Sequence, residues 1–166
     1  MPGSVPFRAV LLPQAVLLVF VWWLSVQWLK NIAPASRGRN AILVSGIVGA
    51  VALVLYVTFL GSKQPFYEVM KRFGIYFYFL GTALSQILLT RAMPRSALRN
   101  GMLWVIGTPF VLGLINLLQE LILTGPNNTE NRIEWIVAVL MQVWFVLLYF
   151  AWRQSGLAIT FRTARP

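Results

Sequence analysis

The chain has no cysteine, no histidine and no aspartate, and its only acidic residues are four glutamates among 166 positions. Haem ligation by histidine, zinc and iron–sulfur sites, disulfides and histidine-based general-base catalysis therefore have no residues to use. Paired-aspartate proteolysis and aspartate-rich metal motifs are excluded in the same way. We expect no metal and no cofactor. Any catalysis would depend on Glu, Tyr, Ser, Lys or Arg, so an enzyme stays possible but a non-enzymatic role is favoured.

Apolar residues dominate what is present. Hydrophobic side chains make up 58% of the sequence, charged ones only 11%, and the net charge is +10. The mean hydropathy of +0.73 lies far outside the range of a soluble domain. The basic residues occur in short segments between apolar runs, where they meet anionic lipid headgroups rather than nucleic acid. The composition indicates an integral membrane protein.

Five apolar runs are long enough to cross a bilayer of about 30 Å at about 1.5 Å per residue. They cover residues 9–29, 41–61, 74–93, 102–124 and 133–153. The sequence thus predicts an all-α polytopic membrane protein, with a bundle of five transmembrane helices in a single domain over residues 1–166. Residues 62–73, between the second and third runs, are interpreted as either a short amphipathic helix in the interface or a loop over the mouth of the bundle.

The first run has a competing interpretation as a secretory signal peptide. Arg8 precedes it, and Ala33-Pro34-Ala35 resembles a cleavage site. The run is longer than the apolar core of a signal peptide, about 7 to 15 residues, and its tryptophans suit an anchored helix. We therefore favour a retained helix.

The distribution of basic residues predicts the orientation. Five spans place the termini on opposite sides, with five basic residues on the N-terminal side and nine on the other. The positive-inside rule then predicts that the N-terminus is outside and the C-terminus is inside. The nine are Lys30, Arg37, Arg39, Arg91, Arg95, Arg99, Arg153, Arg162 and Arg165.

Polar residues on the fourth predicted span mark the first candidate site. Asn116 and Glu120 share a helical face with Pro109 and Gly113, and Gln119 lies beside them. A carboxylate in a membrane span is expected to face a protein partner or a wet cavity. The alternative is that Glu120 reaches the outer interface and forms an ion pair with Arg132, Lys71 or Arg72.

Further polar residues extend this candidate set. Gln86 and Gln142 lie near the middles of their spans, where each is either an interhelical hydrogen-bonding group or part of a polar cavity. Glu134 begins the last span, where it either serves the ligand or favourably meets the helix dipole. The predicted ligand-binding residues are Asn116, Gln119, Glu120, Gln142, Gln86 and Glu134.

Small residues on the second span predict close helix packing. Ser45, Gly49 and Ala52 share one face, which lets another helix approach closely. Packing within this protein is favoured over a dedicated dimerisation motif.

Two segments resemble a known family. The first is Lys71-Arg72-Phe73-Gly74-Ile75-Tyr76-Phe77-Tyr78-Phe79-Leu80-Gly81. It resembles the start of the fourth helix in the family of the damage-regulated autophagy modulator and the lipid-remodelling proteins of GPI anchors. The second resembles the start of the last helix in that family and is Asn131-Arg132-Ile133-Glu134-Trp135. The resemblance covers about residues 41–153. Losing that family's first of six spans would leave five, although a histidine expected before the Gly-aromatic segment is missing here. The resemblance implies a lipid-associated membrane protein, and Glu134 is the residue of this chain that best matches the family's pattern.

Three functions are compatible with these features. The first is a membrane protein that binds or handles a lipid-like ligand from the outer leaflet. The second is an accessory structural subunit that stabilises a larger membrane complex. The third is a small transporter, although the sequence shows no convincing internal repeat. The expected partners are lipids and other membrane subunits, with no nucleic acid.

Overall fold

The computed structural model describes residues 4–59, 65–122 and 129–156. Its side chains are described over the same ranges, except for residues 4–7, 65–68, 71, 72, 113, 114, 116–122 and 129–134. Within these ranges the chain forms five α-helices, which confirms the all-α prediction. They are α1 (Ser4–Ile32), α2 (Arg39–Phe59), α3 (Pro65–Ala92), α4 (Ala97–Ile122) and α5 (Thr129–Gln154).

Four stretches of the described helices are long and apolar enough to cross a bilayer, as in a multi-pass integral membrane protein. They are Arg8–Ile32, Arg39–Phe59, Phe73–Ala92 and Trp135–Gln154. When only the described residues are counted, α4 is not among them. Five spans and their orientation therefore stay predictions.

Helix α3 begins earlier than the sequence suggested. It is continuous from Pro65 to Ala92, so it includes most of the segment that was interpreted as a separate interfacial helix or a loop. From Pro65 onward the loop alternative is therefore wrong, and the helical alternative is correct except that this helix is continuous with the following span. The physical reason is that proline is tolerated in the first turn of a helix, where its missing N–H has no intrahelical partner. No further proline interrupts the helix until Pro94.

Local hydrogen bonds mark where helices begin. The backbone N–H of Arg99 donates to Ser96 Oγ at 3.1 Å, so Ser96 caps the N-terminus of α4. Before α2, Gly38 has a φ of 89°, a left-handed conformation that favours glycine. The N–H of Ile42 then donates to the Gly38 carbonyl at 3.2 Å. The short connections before α2 and α4 are thus defined by their sequences.

The chain forms two compact units that divide after Arg95. In unit 1, α2 packs against both α1 and α3. Between α2 and α3, Ser45 contacts Ser85. Tyr56 lies opposite Gly74, because a Cβ added at Gly74 would lie 2.8 Å from the Tyr56 backbone nitrogen. The residue numbers of these pairs rise on one helix as they fall on the other, so α2 and α3 run antiparallel.

Unit 2 is formed by α4 and α5, which pack together. The buried side chains of α5 recur at steps of three and four residues and so lie on one face. They are Met141, Trp144, Leu148 and Ala151, while Met102 and Ile106 are buried on α4. Six residues join the two helices, so α4 and α5 also run antiparallel.

Candidate functional site

The structure places the predicted ligand-binding residues in three situations. The side chains of Asn116, Gln119, Glu120 and Glu134 lie outside those that the structure describes, so their predicted site stays a prediction. Gln86 is buried in unit 1, at 1% exposure. Gln142 is exposed, on α5 in unit 2.

The small residues of α2 lie in the interior of unit 1. A Cβ at Gly49 would lie 3.1 Å from both the backbone nitrogen and Oγ1 of Thr82, so α3 passes directly over this position. Ala52 is buried as well. The structure thus uses Gly49 for packing within the chain, and this position is not available to a second protein.

A pair of serines links α2 to α3. The hydroxyl oxygens of Ser45 and Ser85 lie 2.6 Å apart. Ser85 Oγ also lies 3.1 Å from the Ile42 carbonyl and 2.9 Å from the Gly81 carbonyl. A serine hydroxyl has one proton, so Ser85 donates to one of these oxygens at a time. In a membrane, where packing and polar contacts replace the hydrophobic driving force, such a bond helps to fix the helix register.

The inward face of α3 is lined with neutral polar groups. Thr82, Ser85, Gln86 and Thr90 are all buried. Thr90 Oγ1 donates to the Gln86 carbonyl at 2.7 Å, whereas Thr82 Oγ1 has no hydrogen-bond partner in the described part of the chain. Only Gln86 belonged to the predicted site. These neutral groups lie inside unit 1, where Thr82 faces Gly49 and Ser85 contacts Ser45, so we assign this face to helix packing.

Gln142 belongs to an exposed stripe on α5, here called the Gln142 face. Its members recur at steps of four, three, four and three residues and are all exposed. They are Trp135, Val139, Gln142, Val146 and Tyr149. Gln142 is the eighth residue of the 20-residue span Trp135–Gln154, so it lies about 4 Å from the middle of that span at the ordinary helical rise.

The Gln142 amide has no hydrogen bond within the described part of the chain. Helix α4 has a second polar group at about the same level along the α4–α5 pair. Pro109 lies inside α4. In an α-helix the carbonyl of Val105 would accept a hydrogen bond from the N–H of residue 109. Because proline has no N–H, this carbonyl has no intrahelical donor. The antiparallel pairing places Pro109 about level with Gln142 on the neighbouring helix. In α5 the Gln142 amide lies inside a candidate membrane span, and a bilayer would supply it with no partner.

Comparisons with known proteins assign no relative. No protein-family model matches the chain, and neither a curated protein nor a solved structure matches it.

Proposed function

We propose that this multi-pass membrane protein binds a lipid-like ligand on its α4–α5 unit, from the outer leaflet, with α4 as the fifth span. The observation on which the proposal depends is the exposed amide of Gln142 near the middle of a membrane-spanning helix. The ligand supplies a hydroxyl, carbonyl or cationic group to that amide and to the polar residues of α4.

An amide in hydrocarbon without a partner is energetically unfavourable. Moving such a group from water to an alkane costs about 4–8 kcal/mol when nothing bonds to it. Lipid tails offer neither donors nor acceptors, so each polar group at this depth needs a protein or ligand partner. A bound molecule with its own polar group removes this penalty, while Val139 and Val146 remain in contact with its apolar part.

Helix α4 supplies the reason to favour an elongated ligand. Asn116 lies six residues before the end of α4, and Gln142 lies thirteen residues after the start of α5. In an antiparallel pair these positions differ by about 10 Å in depth at the ordinary helical rise. One molecule that interacts with both must extend along the helices, as a lipid does. Gln119 and Glu120 then lie nearer the end where a polar headgroup is found.

The charges of unit 1 support the orientation that this proposal needs. Lys30, Arg37, Arg39 and Arg91 lie at the end where α1 and α3 finish and α2 begins. By the positive-inside rule this end is cytoplasmic. If α4 crosses the membrane, the α4–α5 connection is on the outer side. The resemblance of residues 41–153 to the autophagy-modulator and GPI-remodelling family also implies lipid association.

Native mass spectrometry of the detergent-extracted chain tests the proposal. We expect the wild type to retain an adduct of lipid mass and Gln142→Leu to lose it. Gln154→Leu is the matched control, because it makes the same chemical change at the end of the same helix, and it should retain the adduct. Equal adducts in all three proteins, or none in the wild type, would refute ligand binding at Gln142.

A second candidate is an accessory subunit whose partner protein covers the Gln142 face. The spacing of that face favours it, since steps of four and three residues are typical of a helix–helix contact and one central amide can set its register. The same measurement separates the two candidates. A stoichiometric protein adduct that is lost in Gln142→Leu identifies a subunit, and a lipid adduct identifies a ligand.

A further inference from the structure

The connection between α1 and α2 contains an open depression of about 330 Å³. It is here called the loop pocket and is lined by Ser36, Arg37, Gly38, Arg39 and Asn40. Because α1 and α2 both contain candidate membrane spans, which end at Ile32 and begin at Arg39, the loop pocket lies at the depth of the lipid headgroups.

The two arginines of the loop pocket have no counter-charge among the side chains that the structure describes. Neither guanidinium makes a hydrogen bond or an ion pair within the described part of the chain. The sequence contains no acidic residue before Glu68, which leaves the whole of α1, the loop and α2 without a carboxylate. An arginine forms its strongest contacts with a carboxylate or a phosphate. The partner of Arg37 and Arg39 must therefore come from outside this segment.

Other groups in the loop pocket have the same preference for an anion. Helix α2 begins at Arg39, so its first backbone N–H groups have no intrahelical acceptor and the helix dipole favours negative charge there. Ser36 Oγ is buried and has no hydrogen-bond partner in the described chain. An anionic oxygen would provide an acceptor for this hydroxyl.

We propose that the loop pocket binds the phosphate group of an anionic membrane lipid. Arg37 and Arg39 contact the phosphate oxygens, and the first turn of α2 and the Ser36 hydroxyl donate to them. The lipid tails then extend beside α1 and α2, whose outward side chains Val16, Phe20 and Val48 are exposed and apolar. This site is in unit 1 and does not depend on the ligand proposed for the Gln142 face.

A nearby pair of arginines provides a control for general electrostatic attraction. The α2–α3 register, in which Ser45 meets Ser85, places Arg39 level with Arg91. Arg91 and Arg95 are exposed at the same end of unit 1 but do not line the loop pocket. Replacing them removes the same charge from the same membrane surface and leaves the pocket intact.

The test is a lipid titration of the purified full-length chain, followed by native mass spectrometry. Phosphatidylglycerol is the anionic probe and phosphatidylcholine is the reference lipid. We expect the combined R37Q and R39Q variant to bind phosphatidylglycerol at least about tenfold more weakly, because each basic residue at a membrane surface contributes severalfold to anionic-lipid affinity. The combined R91Q and R95Q variant should weaken binding by less than about threefold, since screened charges at a distance contribute less.

Two results would overturn the proposal. Unchanged phosphatidylglycerol binding in the R37Q and R39Q protein would remove the loop pocket as the site. Equal losses in both double variants would show a diffuse cationic surface instead. All four positions are exposed or partly exposed, and helical circular dichroism verifies that each variant folds.

Inorganic phosphate distinguishes a lipid from a free anion as the source of the phosphate group. At millimolar concentration it should leave the phosphatidylglycerol adduct in place, because the lipid tails add contacts with α1 and α2. If inorganic phosphate displaces the lipid completely and raises the thermal stability of the chain by itself, the lipid assignment is wrong.

Discussion

Replacing Gly81 by alanine tests the packing of α2 against α3 directly. A Cβ at this position would lie 2.8 Å from both the Gly49 nitrogen and the Ser45 carbonyl oxygen, and 2.9 Å from Gly49 Cα. All three atoms belong to the backbone of α2, so no side-chain rotation relieves the overlap. The two helices must separate by roughly 0.5–1 Å to reach ordinary van der Waals contact.

Three contributions determine the size of the effect. Overpacking of this kind costs about 1–3 kcal/mol. Separation also lengthens the 2.6 Å contact between Ser45 Oγ and Ser85 Oγ, and an interhelical hydrogen bond in a membrane contributes about 0.6 kcal/mol. Alanine favours a helix over glycine by about 0.5–1 kcal/mol, which opposes both. We expect Gly81→Ala to lower the free energy of unfolding by about 1–3 kcal/mol.

The assay is reversible unfolding of the chain in mixed detergent micelles, followed by tryptophan fluorescence. Gly107→Ala is the control, because it makes the same substitution in a helix where a new Cβ meets nothing within 4 Å. Its stability should be unchanged or slightly raised. If Gly81→Ala is as stable as Gly107→Ala, then α2 and α3 do not approach as closely as the 2.8 Å distance indicates.

Three further measurements examine other parts of the structure. Trp22→Ala should lower the free energy of unfolding by about 3–5 kcal/mol, because Trp22 is fully buried, whereas the half-exposed Trp23 should cost about 1 kcal/mol or less when replaced. Ser85→Ala should lower the free energy of unfolding by about 0.6 kcal/mol, and by no more than about 1.7 kcal/mol. An unchanged free energy of unfolding would mean that the serine contact does not stabilise the helix pair. Since the chain has no cysteine, Ala35→Cys and Ser155→Cys can each be labelled by a membrane-impermeant reagent. Both should react from the same side if α4 crosses the membrane, and labelling from opposite sides would exclude five spans.

The local features of this fold could be predicted from the sequence. Each of the five apolar runs lies largely within one helix, because hydrophobicity and helix propensity are properties of neighbouring residues. The breaks between these runs, at residues 30–40 and 94–101, were equally visible. The start of α3 at Pro65 was not, since a proline that begins a helix and a proline that belongs to a loop look alike in the sequence.

The candidate site was less accessible to such reasoning. Gln86 and Gln142 have the same chemistry and similar positions within their spans, yet one is buried and the other is exposed. Helical periodicity defines which residues share a face, but it does not tell which face meets a neighbouring helix. The contact of Ser45 with Ser85 spans 40 positions, and no local pattern specifies it.

The sequence by itself determined a helical membrane protein without cysteine, histidine or aspartate, with its cations concentrated between apolar runs. These properties follow from composition and from residues that are close along the chain. Only the tertiary structure decided that Gly49 and Gly81 lie between α2 and α3, that Gln142 remains exposed, and that residues 36–40 line an open basic depression. Such features depend on the register between helices, which side-chain shape and hydrogen bonding select after the helices have formed.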